Sequence, residues 1–144
     1  MVSVDDIHTF IEKKILVVDD SSMVRETLSS DLMSAELGLG VIKVDTAENG
    51  EVALTLVKKS LQEGRIYDLI LLDWNMPVLN GLEALKALRA MPEMKVCPII
   101  MLTAESEPAN LQKAKEAGAN FIINKPFNRD KLKKFLKALP SFKT

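Results

Sequence analysis

Cysteine and histidine are nearly absent from this chain: each occurs once, as Cys97 and His8. A single cysteine excludes an internal disulfide and suits a reducing compartment. One histidine with one cysteine argues against a His/Cys zinc site and against a Ser-His-Asp triad. Long hydrophobic runs are missing too, and none approaches the ~18–20 residues needed to span a bilayer. The first residues carry Asp5 and Asp6 where a secretory signal needs basic residues before an apolar stretch. Formal net charge is −1 and the pI is near 5.9, so no basic field exists to hold nucleic acid. Repeats, low-complexity tracts and linkers are absent as well. The expectation is a cytoplasmic protein with no membrane insertion and no direct DNA binding.

What is present is the composition of an ordinary globular domain: 144 residues, 47% hydrophobic and 27% charged. That length fits one domain with a real core. The organising stretch is Asp68-Leu69-Ile70-Leu71-Leu72-Asp73-Trp74-Asn75-Met76-Pro77. A short apolar run that ends in a carboxylate and a turn reads as a strand buried on both faces of a parallel sheet. Four similar runs surround it: Lys14–Val18, Val41–Val44, Pro98–Leu102 and Phe121–Ile123. Helical spacing fills the gaps: a stripe of Met23, Leu28, Leu32 and Ala35, then segments 51–62, a stretch after Asn80-Gly81, 108–117 and 129–139. Five strands alternating with five helices predict an α/β domain with a parallel sheet and right-handed crossovers. Before the first strand, Ile7, Phe10 and Ile11 are spaced for a short helical extension. The expected division is therefore an extension over 1–12 and one domain over 13–144.

In open parallel sheets chemistry gathers beyond the carboxyl ends of the strands. The polar residues at those ends are Asp19 and Asp20 after the first strand, Asp73 after the third, Thr103 after the fourth and Lys125 after the fifth. The second strand offers no charged group at its carboxyl end except Asp45, which the pattern leaves further out. Three carboxylates in one pocket repel one another and need a compensating cation. Mg²⁺ prefers oxygen ligands, uses few carboxylates and keeps waters that exchange with phosphate oxygens. Together with Lys125 it would balance the three negative charges. An ionised carboxylate beside Mg²⁺ is a competent nucleophile for phosphoryl transfer, and an aspartyl phosphate would form. Lys125 and the Thr103 hydroxyl would each take one phosphoryl oxygen, and the small Ala104 leaves room for the group to enter.

Five segments carry a family likeness: Val17-Val18-Asp19-Asp20-Ser21, Leu72-Asp73-Trp74-Asn75-Met76-Pro77, Asn80-Gly81, Leu102-Thr103-Ala104 and Asn124-Lys125-Pro126-Phe127. In this order they resemble the receiver domain of bacterial response regulators, from about Lys13 to the C-terminus, and most of all its single-domain chemotaxis members. The resemblance implies a flavodoxin-like (βα)5 three-layer sandwich with strand order 2-1-3-4-5. It implies Asp73 as phosphoacceptor, Asp20 as a direct Mg²⁺ ligand, Asp19 as the acid holding metal-bound water, and the Asn75 backbone carbonyl as a further ligand. Lys125 would contact the phosphoryl group, and Thr103, with Ala104 and Ile122, would form the switch. The Lys125-Pro126 bond is expected to be cis. A histidine kinase is the implied phosphodonor, and a downstream protein is expected to dock on the fourth helix, fifth strand and fifth helix. The chain stops soon after its last helix, so a stand-alone regulator without an output domain is expected, with no enzymatic role beyond its own phosphoryl transfer and dephosphorylation.

Ile122 departs from the family pattern, which has an aromatic residue three before the lysine. Phe121 is adjacent, but alternation along a strand points it to the other face. The stretch between Asp20 and Asp73 is also longer than in stand-alone members, around Gly38–Gly40 and Gln62–Arg65. Two other readings compete. A haloacid-dehalogenase-type phosphatase would place Asp-x-Asp after the first strand, where this chain has Asp-Asp-Ser, and a degenerate receiver serving as scaffold or dimerisation module would not need all five polar residues. Elsewhere, Trp74 reads as a partly exposed neighbour of the site and Cys97 as a buried structural thiol. The lysines at 131, 133, 134 and 137 form either a solvated face or a docking surface for an acidic partner.

Overall fold

The computed structural model describes residues 12–104 and 107–142. The helical extension expected from Ile7, Phe10 and Ile11, and with it His8, lies outside those residues. Strands β1 (Lys13–Val18), β2 (Ile42–Ala47), β3 (Leu69–Asp73), β4 (Ile99–Thr103) and β5 (Phe121–Asn124) alternate with helices α1 (Ser22–Met33), α2 (Gly50–Gln62), α3 (Gly81–Ala90), α4 (Pro108–Ala117) and α5 (Arg129–Lys137). The strands form one parallel sheet in the order β2-β1-β3-β4-β5. The expected three-layer α/β architecture is thus present. Among the described residues no helix is long and apolar enough to cross a membrane.

Strand alternation divides the core in two. Ile15, Val17, Leu69, Leu71, Ile100, Leu102 and Ile123 face one way, into a cluster with Leu28 and Leu32 of α1 and Leu132 and Leu136 of α5. Leu16, Val18, Ile70, Leu72, Ile99 and Met101 face the other, packing with Ala53 and Val57 of α2, Ala84, Leu85 and Leu88 of α3 and Ala114 of α4. β3 and β4 are buried along their whole length, so they need apolar side chains on both faces. β2 lies at the sheet edge and carries no fully buried residue before Ala47.

Four of the five helices start on a side-chain cap: Ser21, Asn49, Asn80 and Asn128 accept from Val24, Val52, Glu83 and Lys131 respectively. α4 starts instead on Pro108, and ends on Gly118 at φ 108. The expected α1 stripe needs correcting at both ends: Met23 is 74% exposed, and the helix stops at Met33, before Ala35. Ser34 turns extended (ψ 147) and its hydroxyl donates back to the Asp31 carbonyl, so Ala35 is exposed rather than part of the apolar stripe. β2 runs past Val44 to Ala47, because its ladder with β1 continues through the polar pair Asp45 and Thr46.

At the amino edge of the sheet lies a second polar cluster. Lys14 is 8% exposed; its Nζ donates to Ser60 Oγ at 2.9 Å and sits 4.6 Å from the Tyr67 ring centre. Tyr67 donates to Asp45 at 2.7 Å. Burial first, and this bond second, push the Tyr67 hydroxyl pKa well up. Asp45 is therefore engaged away from the carboxyl edge. Cys97 is buried nearby, its Sγ donating to the Tyr67 carbonyl at 3.2 Å. Burial pushes the Cys97 thiol up to about 12. The neutral thiol therefore stabilises the fold fully below its unfolded pKa of about 9, and that contribution is lost as pH rises toward 12. We expect no reaction with a thiol reagent at pH 8 until denaturant unfolds the chain, and a steeper loss of stability above pH 9 than in Cys97→Ala. Fast labelling of the folded protein would contradict this burial.

Candidate functional site

Asp73 is the last residue of β3 and only 4% exposed, and Asp19 follows β1 at 1%. Asp20 is exposed at the rim. One carboxylate oxygen from each of Asp19, Asp20 and Asp73 lies within 4.8 Å of the other two. Lys125, at the carboxyl end of β5, reaches across to the same point. Its Nζ donates to Asp73 Oδ1 at 2.9 Å and to Asp19 Oδ2 at 3.1 Å. Parallel strands bring these four residues together although as many as 106 positions separate them in sequence.

The electrostatics follow from that crowding. Burial raises the Asp73 pKa above its ordinary value, the negative charges of Asp19 and Asp20 add to the rise, and Lys125 opposes it. For Lys125, burial alone would lower the pKa, but Asp73 and Asp19 outweigh it and the ammonium is held charged. Hard oxygen donors grouped this closely suit a divalent cation such as Mg²⁺. The donor set fits the expected metal.

Thr103 is fully buried at the end of β4 and registers opposite Asn124. Its carbonyl accepts from the Lys125 backbone N–H at 2.8 Å, which continues the β4–β5 ladder to the lysine. Ala104 next to it is exposed, as is Asn75 in the loop after β3. The Lys125-Pro126 bond is cis, as expected. Ile122 is half-buried against the cluster shared by α2, α3 and α4, while Phe121 packs on Phe135 of α5 with ring centres 5.4 Å apart. The two side chains thus take opposite faces, as alternation requires. Trp74 is partly buried beside the same cluster as Ile122.

Three supporting residues were not singled out for the site from the sequence. Ser21 donates its N–H to Asp19 Oδ1 at 2.9 Å, and Arg25 Nη1 donates to the Asp19 carbonyl at 2.8 Å. Gly81 brings the start of α3 against the end of β3: a Cβ there would lie 2.2 Å from the Asp73 carbonyl oxygen and 2.8 Å from Trp74 Cα. Asn80-Gly81 stands in the sequence among the segments of the family likeness and before a helix; the close approach that requires the glycine is set by the tertiary fold.

The family model of the response regulator receiver domain matches residues 15–137. The chain belongs to the receiver domain family. This receiver is 37% identical to the chemotaxis protein CheY-3 of Vibrio cholerae over 123 residues, which is 85% of this chain and 88% of that protein. It superposes on the crystal structure of Vibrio cholerae CheY4 with a TM-score of 0.77 at 38% identity, covering 89% of the receiver and 98% of that chain. A complex of CheX with CheY, BeF3 and Mg²⁺ from Borrelia burgdorferi gives a TM-score of 0.79 at 26% identity, covering 92% of each chain. The phosphatase alternative is not favoured by these likenesses.

Proposed function

We propose that this receiver is a phosphorylation-dependent switch in which Asp73 accepts a phosphoryl group from a histidine kinase or a small phosphodonor. The observation that carries the proposal is the Lys125 ammonium bridging Asp73 and Asp19, with Asp20 beside them. In this reading Asp73 attacks phosphorus in line; a P–O bond forms, the P–N bond of a phosphohistidine breaks, and the departing imidazole takes its proton from solvent. Asp19, Asp20, Asp73 and the Asn75 backbone carbonyl would hold Mg²⁺, which when bound neutralises charge on the transferring oxygens. Lys125 binds one of those oxygens. Thr103 turns toward another, and Ala104 beside it leaves the group room.

The consequence is read out at protein surfaces. Leu111, Lys115, Ala119, Ile122 and Phe135 line a groove over β5 between α4 and α5. On α5, Lys131, Lys133 and Lys134 are exposed and Lys137 partly so. An acidic downstream protein docking on α4, β5 and α5 suits that lining, with Ile122 moving in place of an aromatic side chain. Chemotaxis is the pathway favoured by the named relatives, in the cytoplasm, with residues 13–144 as the receiver and 1–12 as an extension. Incubation with acetyl phosphate and Mg²⁺ is expected to add one phosphoryl mass, lost without Mg²⁺ and in Asp73→Asn. No adduct, with beryllofluoride also failing to bind, would defeat the proposal.

A further inference from the structure

We infer that Arg25 is a positioning residue for the acidic pocket, holding the β1–α1 turn in the geometry that aims Asp19 and Asp20 at a cation. The inference rests on the metal-binding reading above. Its starting point is that turn itself. Four contacts fix Asp19: its N–H donates to the Ala47 carbonyl at 3.1 Å, its Oδ1 accepts from Ser21 N–H, its Oδ2 accepts from Lys125 Nζ, and its carbonyl accepts from Arg25 Nη1. The Ala47 bond uses the Asp19 backbone N–H toward β2, and the Ser21 and Lys125 bonds use its side chain. Arg25 alone reaches the Asp19 carbonyl from α1, and that carbonyl belongs to the Asp19–Asp20 peptide. Rotation of this peptide would carry the exposed Asp20 side chain away from Asp73.

The placement of Arg25 argues that the bond matters. It lies in the first turns of α1, behind the Ser21 cap, where the helix dipole disfavours a cation. α1 has no acidic residue in its first turn, so the charges that favour a cation there are those of Asp19 and Asp20 just before the cap. The side chain is half-buried along a groove with Ser22, Glu26, Ser29 and Thr46, rather than extended into solvent. A guanidinium that only decorated the surface would gain more from water. Here it is held in against the turn that carries two of the three carboxylates.

The sign of one measurement separates positioning from charge. Arg25 is a cation near a cation site, so if it acted only through its field, its removal would tighten Mg²⁺ binding. If it positions the turn, its removal weakens binding, and outer-shell partners of metal ligands are typically worth about tenfold or more in affinity. Mg²⁺ is titrated into the purified chain, followed by the fluorescence of Trp74, the single tryptophan and the neighbour of Asp73, with calorimetry as a second readout. Arg25→Ala is expected to raise the Mg²⁺ Kd by about tenfold, and Arg25→Lys, which keeps the charge and one donor, by less. Leu132→Val on α5 serves as a control that lowers Tm without moving the Kd. An unchanged or lower Kd in Arg25→Ala overturns the inference. Should that variant fail to fold, Arg25→Lys decides: a weakened Kd supports positioning and a wild-type Kd overturns it. A parent protein that gives no Mg²⁺ response fails the metal-binding reading instead, before any variant is compared.

Discussion

Lys125→Ala is expected to bind Mg²⁺ more tightly and to accept a phosphoryl group far more slowly. The two effects have one origin. The ammonium donates to oxygens of Asp73 and Asp19 at 2.9 and 3.1 Å, and a cation bound by the same carboxylates must share them. Two unit charges ~4 Å apart are coupled by about 4 kcal/mol at an effective dielectric of ~20. The lysine side chain is 28% exposed, so solvent leaves part of that coupling, and about a tenfold gain in Mg²⁺ affinity is a reasonable scale. The rate effect runs the other way. A preorganised charged donor aimed at developing oxygen charge is typically worth about 10²–10³ in rate. Mg²⁺ titration by Trp74 fluorescence and the initial rate of adduct formation with acetyl phosphate measure the two separately. Weaker Mg²⁺ binding in Lys125→Ala would mean that the lysine chiefly holds the carboxylates in place, and an unchanged rate would remove it from the transfer step.

The residues behind that prediction were legible because buried strands leave little choice. An interior strand of a parallel sheet must be apolar until it emerges, so the first polar residue marks the carboxyl edge: Asp19, Asp73 and Thr103 stand there, and Lys125 follows Asn124 at the same end of the edge strand β5. Period-two alternation also separated Phe121 from Ile122 correctly. The end of α1 was less legible. Helical spacing carried the stripe to Ala35, but a serine hydroxyl competing for the Asp31 carbonyl ended the helix at Met33. The end of β2 was obscured for a different reason. Asp45 and Thr46 look like loop residues by composition, yet an edge strand tolerates polar side chains while its backbone pairs with β1.

The polar contacts of Arg25, Arg89 and Lys14 were not legible. Arg25 and Arg89 occupy helix positions whose sequence spacing says only that they are not core. Apart from the Asn120 side chain their partners are backbone carbonyl oxygens, which every residue possesses and no pattern distinguishes. Lys14 shows the same gap. Its place before an apolar run suggested a strand start, whereas its burial is set by Ser60, Tyr67 and Asp45 at separations visible only in the fold.

Arg89 carries the largest expected effect on stability. From α3 it makes five hydrogen bonds: Nε and Nη2 donate to the Gly118 carbonyl at 3.0 and 2.9 Å, Nη1 to the Met94 and Cys97 carbonyls at 2.5 and 2.7 Å, and Nη2 to Asn120 Oδ1 at 2.9 Å. The Asn120 side chain in turn accepts from the Ile99 N–H at 2.9 Å, where β4 begins. One guanidinium thus joins α3, the turn before β4 and the α4–β5 turn. Burial lowers its pKa somewhat, with the nearby Cys97 opposing, but an arginine stays charged at any pH the fold survives. Deleting it leaves several partly buried carbonyls short of a donor. With charged hydrogen bonds worth about 1.5–3 kcal/mol each before relaxation and rehydration, Arg89→Ala should cost about 3–5 kcal/mol. For a domain of this size that corresponds to a drop of roughly 10 °C in Tm. Arg89→Lys offers three donors without the planar fork and should recover less than half of the loss. The strut sits at the amino edge of the sheet, opposite Asp73, so phosphoryl uptake measured well below the lowered Tm should match the parent. A loss below about 1 kcal/mol would mean that water replaces the guanidinium at these carbonyls, which exposed backbone groups permit and buried ones do not.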